Sequence, residues 1–207
     1  MERENYEKWW DNKVVNESYT NMEDFRKVLD RNKSRYEYLK LIEEIIPRNI
    51  LDVGCGLGLD YVMYKKHYPN IEYHGIDICE GFIKENKKNF PEADFRVAWI
   101  QDLPFEDNSI DLVTCRGVLE HIPEPESAIK EMARVSRNSV AIIWFLIPQE
   151  NEVIKITQSG FYRNIYSEDR IMKCFEDNGL KYGYNIIIED NKSPMKMHEM
   201  WVLNKGV

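Results

Sequence analysis

Gly54, Gly56 and Gly58 stand at alternate positions directly after the apolar run Asn49 to Val53, in the string ILDVGCGLGLD. Glycine lets a backbone come within contact distance of a ligand or take up positive φ, so a turn of this composition can cradle a bound group. Asp77 lies twenty-three positions beyond Gly54 and closes a second strand-like run in YHGID. An acid at such a strand end can accept from both hydroxyls of a ribose. A glycine turn by itself is common turn geometry, but strand, triple glycine and strand-end acid together point to a nucleoside-containing cofactor. The spacing G-x-G-x-G, with Leu59 at the next position, departs from the G-x-G-x-x-G of dinucleotide sites and disfavours a nicotinamide oxidoreductase.

Other chemistry finds less support. The four cysteines, Cys55, Cys79, Cys115 and Cys174, form no CxxC pair and read as reduced thiols filling a core rather than as a disulfide framework or zinc knuckle. The four histidines make no HxxxH or HExxH, so no metal site is expected.

The elements that must position the glycine turn and Asp77 follow from periodicity. From Asn21 to Ile46 the apolar residues recur at threes and fours among charges, the period of one or two amphipathic helices ending at Pro47. Beyond the first strand, Asp60 to Tyr68 is predicted as helix, Ile71 to Ile76 as strand and Gly81 to Phe90 as helix. Strands follow at Phe95 to Ala98 and Ile110 to Cys115, then a helix at Glu126 to Val135 and a strand at Ser139 to Ile147. Uninterrupted apolar strands such as VAIIWFLI imply a sheet covered on both faces and largely parallel. Ser167 to Asn178 reads as a helix with Ser167 as its cap and Gly179 at its end. Tyr182 to Ile188 and Glu199 to Leu203 read as a closing antiparallel pair. The least regular stretch, Gln149 to Ile165, is expected to be an active-site loop rather than a domain boundary.

Length and charge bound the rest. The 207 residues, 43% of them apolar, suit one domain with a buried core. With 36 acidic residues against 28 Lys and Arg, the formal charge of −8 disfavours nucleic acid as a partner. The longest apolar run, Val140 to Ile147, is eight residues, short of the ~20 that span a bilayer. The charged start MERENYEKWWDNK shows no secretory pattern, and a cytoplasmic address is expected.

The strings ILDVGCGLG, GIDIC, LPFEDNSIDLV and GVLEHIPEPESAIKEMARV, in that order, resemble the class I S-adenosylmethionine-dependent methyltransferases, in particular the group with an LPF-x-D-x-S-x-D signature. The similarity runs from about Asn49 to Ile147, and IYSEDRIMKCFEDNGL resembles the family's last helix. The resemblance implies a Rossmann-like α/β fold: a seven-stranded, mostly parallel sheet with helices on both faces and a final antiparallel strand. A single methyltransferase domain is expected, with 47–207 as the α/β core and residues 1–46 as a helical lid segment. Tyr6, Trp9 and Trp10 offer more apolar surface than a solvated tail leaves exposed, the alternative being that they bury against the sheet edge. By the same resemblance Asp52 and the backbone of Gly54, Cys55, Gly56 and Gly58 border the methionine portion of the cofactor. Asp77 holds the ribose, Ile78 packs on adenine, and Arg116 belongs to the cofactor site. Trp99 stands where relatives carry an adenine-contacting aspartate. Either Gln101 or Asp102 then accepts from the adenine amino group, or recognition rests on the Ile100 backbone with Trp99 stacking nearby.

Methyl transfer from a sulfonium needs a side chain only where the acceptor must lose a proton. The candidate is His121, just after the fourth strand, which acts either as general base or as a brace for its turn. Acceptor contacts are expected from Tyr6, Trp9 and Trp10 in the leading segment, and from Phe145, Gln149, Phe161, Tyr162, Arg163 and Tyr166 after the fifth strand. Aromatic walls suit a planar or cationic acceptor, whereas Arg163 can equally be a solvated charge. The expected function is methyl transfer to oxygen or nitrogen of a small molecule, without nucleic acid or membrane. A protein or RNA methyltransferase and a non-catalytic S-adenosylmethionine-binding regulator are the alternatives.

Overall fold

The computed structural model describes residues 33–157, 161–189 and 196–206. Tyr6, Trp9 and Trp10, with the first part of the predicted leading helices, lie outside the described residues. The described elements are α1 (Lys33–Ile45), β1 (Asn49–Val53), α2 (Leu59–His67), β2 (Glu72–Asp77), α3 (Glu80–Asn89), β3 (Asp94–Val97) and β4 (Ile110–Arg116). A 3-10 turn (Leu119–His121) follows, then α4 (Glu126–Val135), β5 (Ser136–Trp144), α5 (Glu168–Asp177), β6 (Leu180–Glu189) and β7 (Met197–Lys205).

Seven strands form one sheet in the order β3-β2-β1-β4-β5-β7-β6. The first five pair in parallel, and β7 runs antiparallel to both β5 and β6. The central parallel strands β1, β4 and β5 are buried on both faces because helices cover both, whereas the edge strand β3 is half exposed. One buried cluster joins α1, α2 and α3 to the sheet through Tyr38, Leu41, Ile42, Tyr64 and Ile83. The other joins α4 and α5 through Ile129, Met132, Ile171 and Phe175. The α1 stretch is therefore packed on the sheet, and its Tyr38 hydroxyl donates to the carbonyls of Cys115 and Ala141 at 3.0 and 3.3 Å.

Most boundaries fall within a residue or two of the predicted ones, with β5 the clearest difference. It starts at Ser136 and stops at Trp144. Its pairing with β4 is irregular between Ile110 and Leu112, which brings Ser136 into the ladder past the exposed Arg137 and Asn138. The far end leaves the predicted strand because the Phe145 amide turns to the Glu120 carboxylate, at 3.3 Å. Ser167 caps α5, its hydroxyl accepting from the Arg170 amide. Among the described residues no helix is long and apolar enough to cross a membrane.

Candidate cofactor and methyl-transfer site

The strand order reverses between β1 and β4, and in open α/β sheets ligands bind outside the carboxyl ends of the strands at such a point. A cavity of about 200 Å³ lies there. Gly54 and Gly56 line it after β1; Ile76, Asp77, Ile78, Cys79 and Phe82 line it from β2 into α3. Ala98, Trp99, Ile100 and Gln101 line it after β3, and Arg116, Gly117, Val118, His121 and Ile122 close it after β4.

The glycine turn is held by its neighbours. Gly54 has φ +75°, and a Cβ there would lie 2.3 Å from Val118 Cγ2; only glycine allows the two cavity walls to approach so closely. The amides of Gly54 and Cys55 both donate to the Ile76 carbonyl, at 2.8 and 2.9 Å. The Gly56 amide donates to Asp77 Oδ2 at 3.0 Å, and the Cys79 amide to Oδ1 at 2.8 Å. Burial raises the Asp77 pKa, opposed by these backbone donors.

Residues after β3 make a tight turn in which the Asp102 amide donates to the Trp99 carbonyl at 3.1 Å. Ile100 and Gln101 sit at its tip and face the cavity, whereas Asp102 is exposed and outside the lining. Gln101 Oε1 is buried and has no hydrogen-bond partner.

Arg116 brings a half-buried cation to the wall formed after β4. Its guanidinium carbon is 5.1 Å from the centre of the Phe145 ring. Its Nε is 3.7 Å from Asp60 Oδ2, and Arg35 of α1 meets the same carboxylate at 2.5 Å. Burial, then the nearby Arg35 charge, lowers the Arg116 pKa.

His121 closes the 3-10 turn, and its Nδ1 is 2.7 Å from the Tyr162 carbonyl. A carbonyl only accepts, so Nδ1 carries the hydrogen and the lone pair of the neutral ring is at Nε2. Burial lowers the ring's pKa, which favours that neutral form.

Several expected residues lie elsewhere. Asp52 is buried outside the lining, accepting from the Tyr73 hydroxyl at 2.8 Å, and burial followed by the Asp60 charge raises its carboxyl to about 7. Cys55 is buried outside the lining, and Gly58 precedes α2 facing Phe95 and Asn86. The loop Gln149 to Ile165 is tied to the site by backbone, through His121 to Tyr162 and from the Asn164 amide to the Glu120 carbonyl at 2.9 Å. Among the described residues, Phe145 ahead of this loop and Gln149, Phe161, Tyr162 and Arg163 within it are outside the lining. Tyr166, expected at the acceptor, is fully buried, and its hydroxyl donates to the Leu119 carbonyl at 2.6 Å and contacts that of Ile122. Its ring packs inward under the 3-10 turn, outside the cavity lining.

Cys79, Phe82, Gly117, Val118 and Ile122 were not anticipated. Cys79 and Phe82 follow Asp77 at the strand-to-helix junction, and the other three belong to the string GVLEHI, whose position after a strand was the available signal. No disulfide joins the four buried cysteines. Among the described residues no His, Cys, Asp and Glu cluster could hold a metal ion.

A family model described as a methyltransferase domain matches residues 51–143. Ajmaline N-methyltransferase of Rauvolfia serpentina is 34% identical over 108 residues, which are 47% of this chain and 35% of that protein. The ubiquinone biosynthesis O-methyltransferase of Chromobacterium violaceum is 28% identical over 128 residues, 59% of this chain and 50% of that protein. The chain thus spans half or less of the length of these curated relatives. The crystal structure of magnesium protoporphyrin IX methyltransferase from Synechocystis with bound S-adenosylhomocysteine shares the fold. Its TM-score is 0.67 at 16% identity, over 90% of this chain and 88% of that one. The domain over residues 51–143 is that of a class I S-adenosylmethionine-dependent methyltransferase.

Proposed function

We propose that this chain transfers the methyl group of S-adenosylmethionine to an oxygen or nitrogen atom of a small molecule. The observation that carries the reading is the convergence of Gly54, Gly56, Asp77 and His121 on one cavity at the carboxyl ends of the strands. The cofactor, when bound, supplies a methyl carbon on a sulfonium, open to in-line attack without a protein nucleophile.

The residues present fit such a group. The Asp77 oxygens accept from backbone amides, Gly56 and Cys79 among them, and keep acceptor capacity for a ribose hydroxyl. Ile78, Phe82, Ala98, Trp99 and Ile100 offer apolar surface to a purine. The glycine backbone allows close approach, and Arg116 sets positive charge on the far wall. The chain's contribution to rate is then orientation: two reacting atoms held about 3–3.5 Å apart gain most of what a displacement of this type requires. His121 holds the Tyr162 backbone to the wall and fixes the loop beside the reacting end. An N- and an O-methyltransferase among the similar proteins support nitrogen or oxygen as the acceptor atom.

The test is incubation of the full chain with methyl-labelled S-adenosylmethionine and mixtures of small amines, phenols and hydroxy compounds. Label in a small product is the expected result. Label found only in added protein or RNA would overturn the small-molecule assignment, and tight cofactor binding with no transfer to any of them would favour a non-catalytic regulator.

A further inference from the structure

Asn164 is fully buried and outside the cavity lining, yet it grips the residues on both sides of His121. Its backbone amide donates to the Glu120 carbonyl at 2.9 Å, and its Nδ2 donates to the Ile122 carbonyl at 2.8 Å. Nδ2 also donates to the Tyr166 hydroxyl at 3.3 Å, and that hydroxyl donates in turn to the Leu119 carbonyl. Its Oδ1 accepts from the Lys155 amide at 3.2 Å, and the Arg163 amide donates to the Lys155 carbonyl at 2.8 Å. One side chain thus ties the 3-10 turn that carries His121 to both sides of the loop that carries Tyr162. Burying an amide is costly unless its polar atoms are paired, and here it supplies a donor to the turn and an acceptor to the loop from one planar group. The Tyr162 carbonyl, two residues before Asn164, is the partner of His121 Nδ1 at 2.7 Å. Such a partner decides which ring nitrogen carries the hydrogen.

We propose that Asn164 is a positioning residue of the methyl-transfer site, holding the Tyr162 carbonyl against His121 so that the neutral ring keeps its hydrogen on Nδ1 and its lone pair on Nε2. The inference rests on the reading of the cavity as a methyl-transfer site and adds to it a residue outside the lining. Without the tie, the loop and the turn move independently and the ring exchanges between its two neutral forms, so the cavity wall no longer presents one fixed arrangement of donor and acceptor to a reacting group. Tyr166 provides the contrast: its hydroxyl bonds the same turn at Leu119, whereas the bond to the Lys155 amide belongs to Asn164.

The experiment reads the ring nitrogens of His121 by NMR in the full chain with isotopically labelled histidine, His121→Asn identifying its signals among the four histidines. In the parent the neutral ring should be almost wholly in the Nδ1–H form. Asn164→Asp keeps an acceptor for the Lys155 amide but sets an oxygen against the Ile122 carbonyl, and Asn164→Ala removes both contacts. Each should lower the ratio of Nδ1–H to Nε2–H form about tenfold, the effect of one neutral hydrogen bond. Tyr166→Phe should lower stability while leaving the ratio within about twofold of the parent's, because it removes a bond from the turn and none from the loop. An unchanged ratio in the Asn164 variants, or an equal fall in Tyr166→Phe, would overturn the proposal. The parent decides it even if neither Asn164 variant folds: as His121 is titrated, the Asn164 side-chain amide signals should shift with the midpoint of the ring, and signals that stay still would overturn the tie. S-adenosylhomocysteine is titrated into the parent alongside. Absence of binding would overturn the reading of the cavity, while the ring signals of the free chain still judge Asn164.

Discussion

The Asp77 carboxylate, at the end of β2, accepts from the amide of Gly56, in the turn after β1, at 3.0 Å. The acid assigned to the ribose thus also fastens the loop assigned to the methionine portion, which couples the two halves of the site. Asp77→Ala should lower S-adenosylhomocysteine affinity by about 1.5–3 kcal/mol through loss of charge-assisted hydrogen bonds. Titration calorimetry reads this directly, and unchanged affinity would remove Asp77 from the site.

Gly54 separates the first strand from Val118 on the opposite wall. An alanine there would combine positive φ with a 2.3 Å contact to Val118 Cγ2. Gly54→Ala should destabilise the fold by about 1–3 kcal/mol and weaken cofactor binding as the walls part. Denaturant unfolding measures the first effect. A variant with the parent's midpoint would mean that the two walls can separate without cost.

Glu120 is 1% exposed, and its Oε2 has no hydrogen-bond partner. Burial pushes its carboxyl up to about 7, against the lowering influence of backbone donors and Arg116. The unfolded chain ionises this group near its ordinary pKa of about 4.3, whereas the folded chain keeps the proton until about pH 7. Its contribution to stability is therefore present below that range and lost as pH rises through it. Glu120→Gln should gain stability relative to the parent between pH 5 and pH 8, on the order of 1–3 kcal/mol. Equal differences between variant and parent at the two pH values would contradict the assignment.

The bond from His121 Nδ1 to the Tyr162 carbonyl braces the turn and places the basic lone pair of the neutral ring on Nε2. His121→Ala should cost about 1 kcal/mol of stability and reduce turnover along with it. His121→Asn can place an amide N–H where Nδ1 lies but has no counterpart of Nε2, so it should restore both. Restored stability with turnover still about 10²-fold down would instead make His121 the general base.

Parts of this site were legible because their signals are local. Glycines after an apolar run, an acid closing the next run, and the α4 period from Glu126 to Val135 depend on residues adjacent in sequence. The side that faces a cavity does not. Tyr166 looked available because aromatic residues in an irregular loop suit a ligand wall, yet its ring packs inward against Trp144, with centroids 6.2 Å apart. The bounds of β5 were hidden for a similar reason. A register irregularity admits Ser136, and the Glu120 carboxylate takes the Phe145 amide; both depend on partners distant in sequence. The motif led to the expectation that Trp99 and either Gln101 or Asp102 lie at the site, but that Gln101 lines the cavity while Asp102 is exposed follows from the shape of the turn.

The cofactor assignment is tested most directly by titrating the full chain with S-adenosylmethionine, S-adenosylhomocysteine and NAD in a calorimeter, with Asp77→Ala alongside. Saturable binding of both sulfur compounds, weakened in the variant, with no heat from NAD, is the predicted result. Tight NAD binding without a response to either sulfur compound would contradict the account.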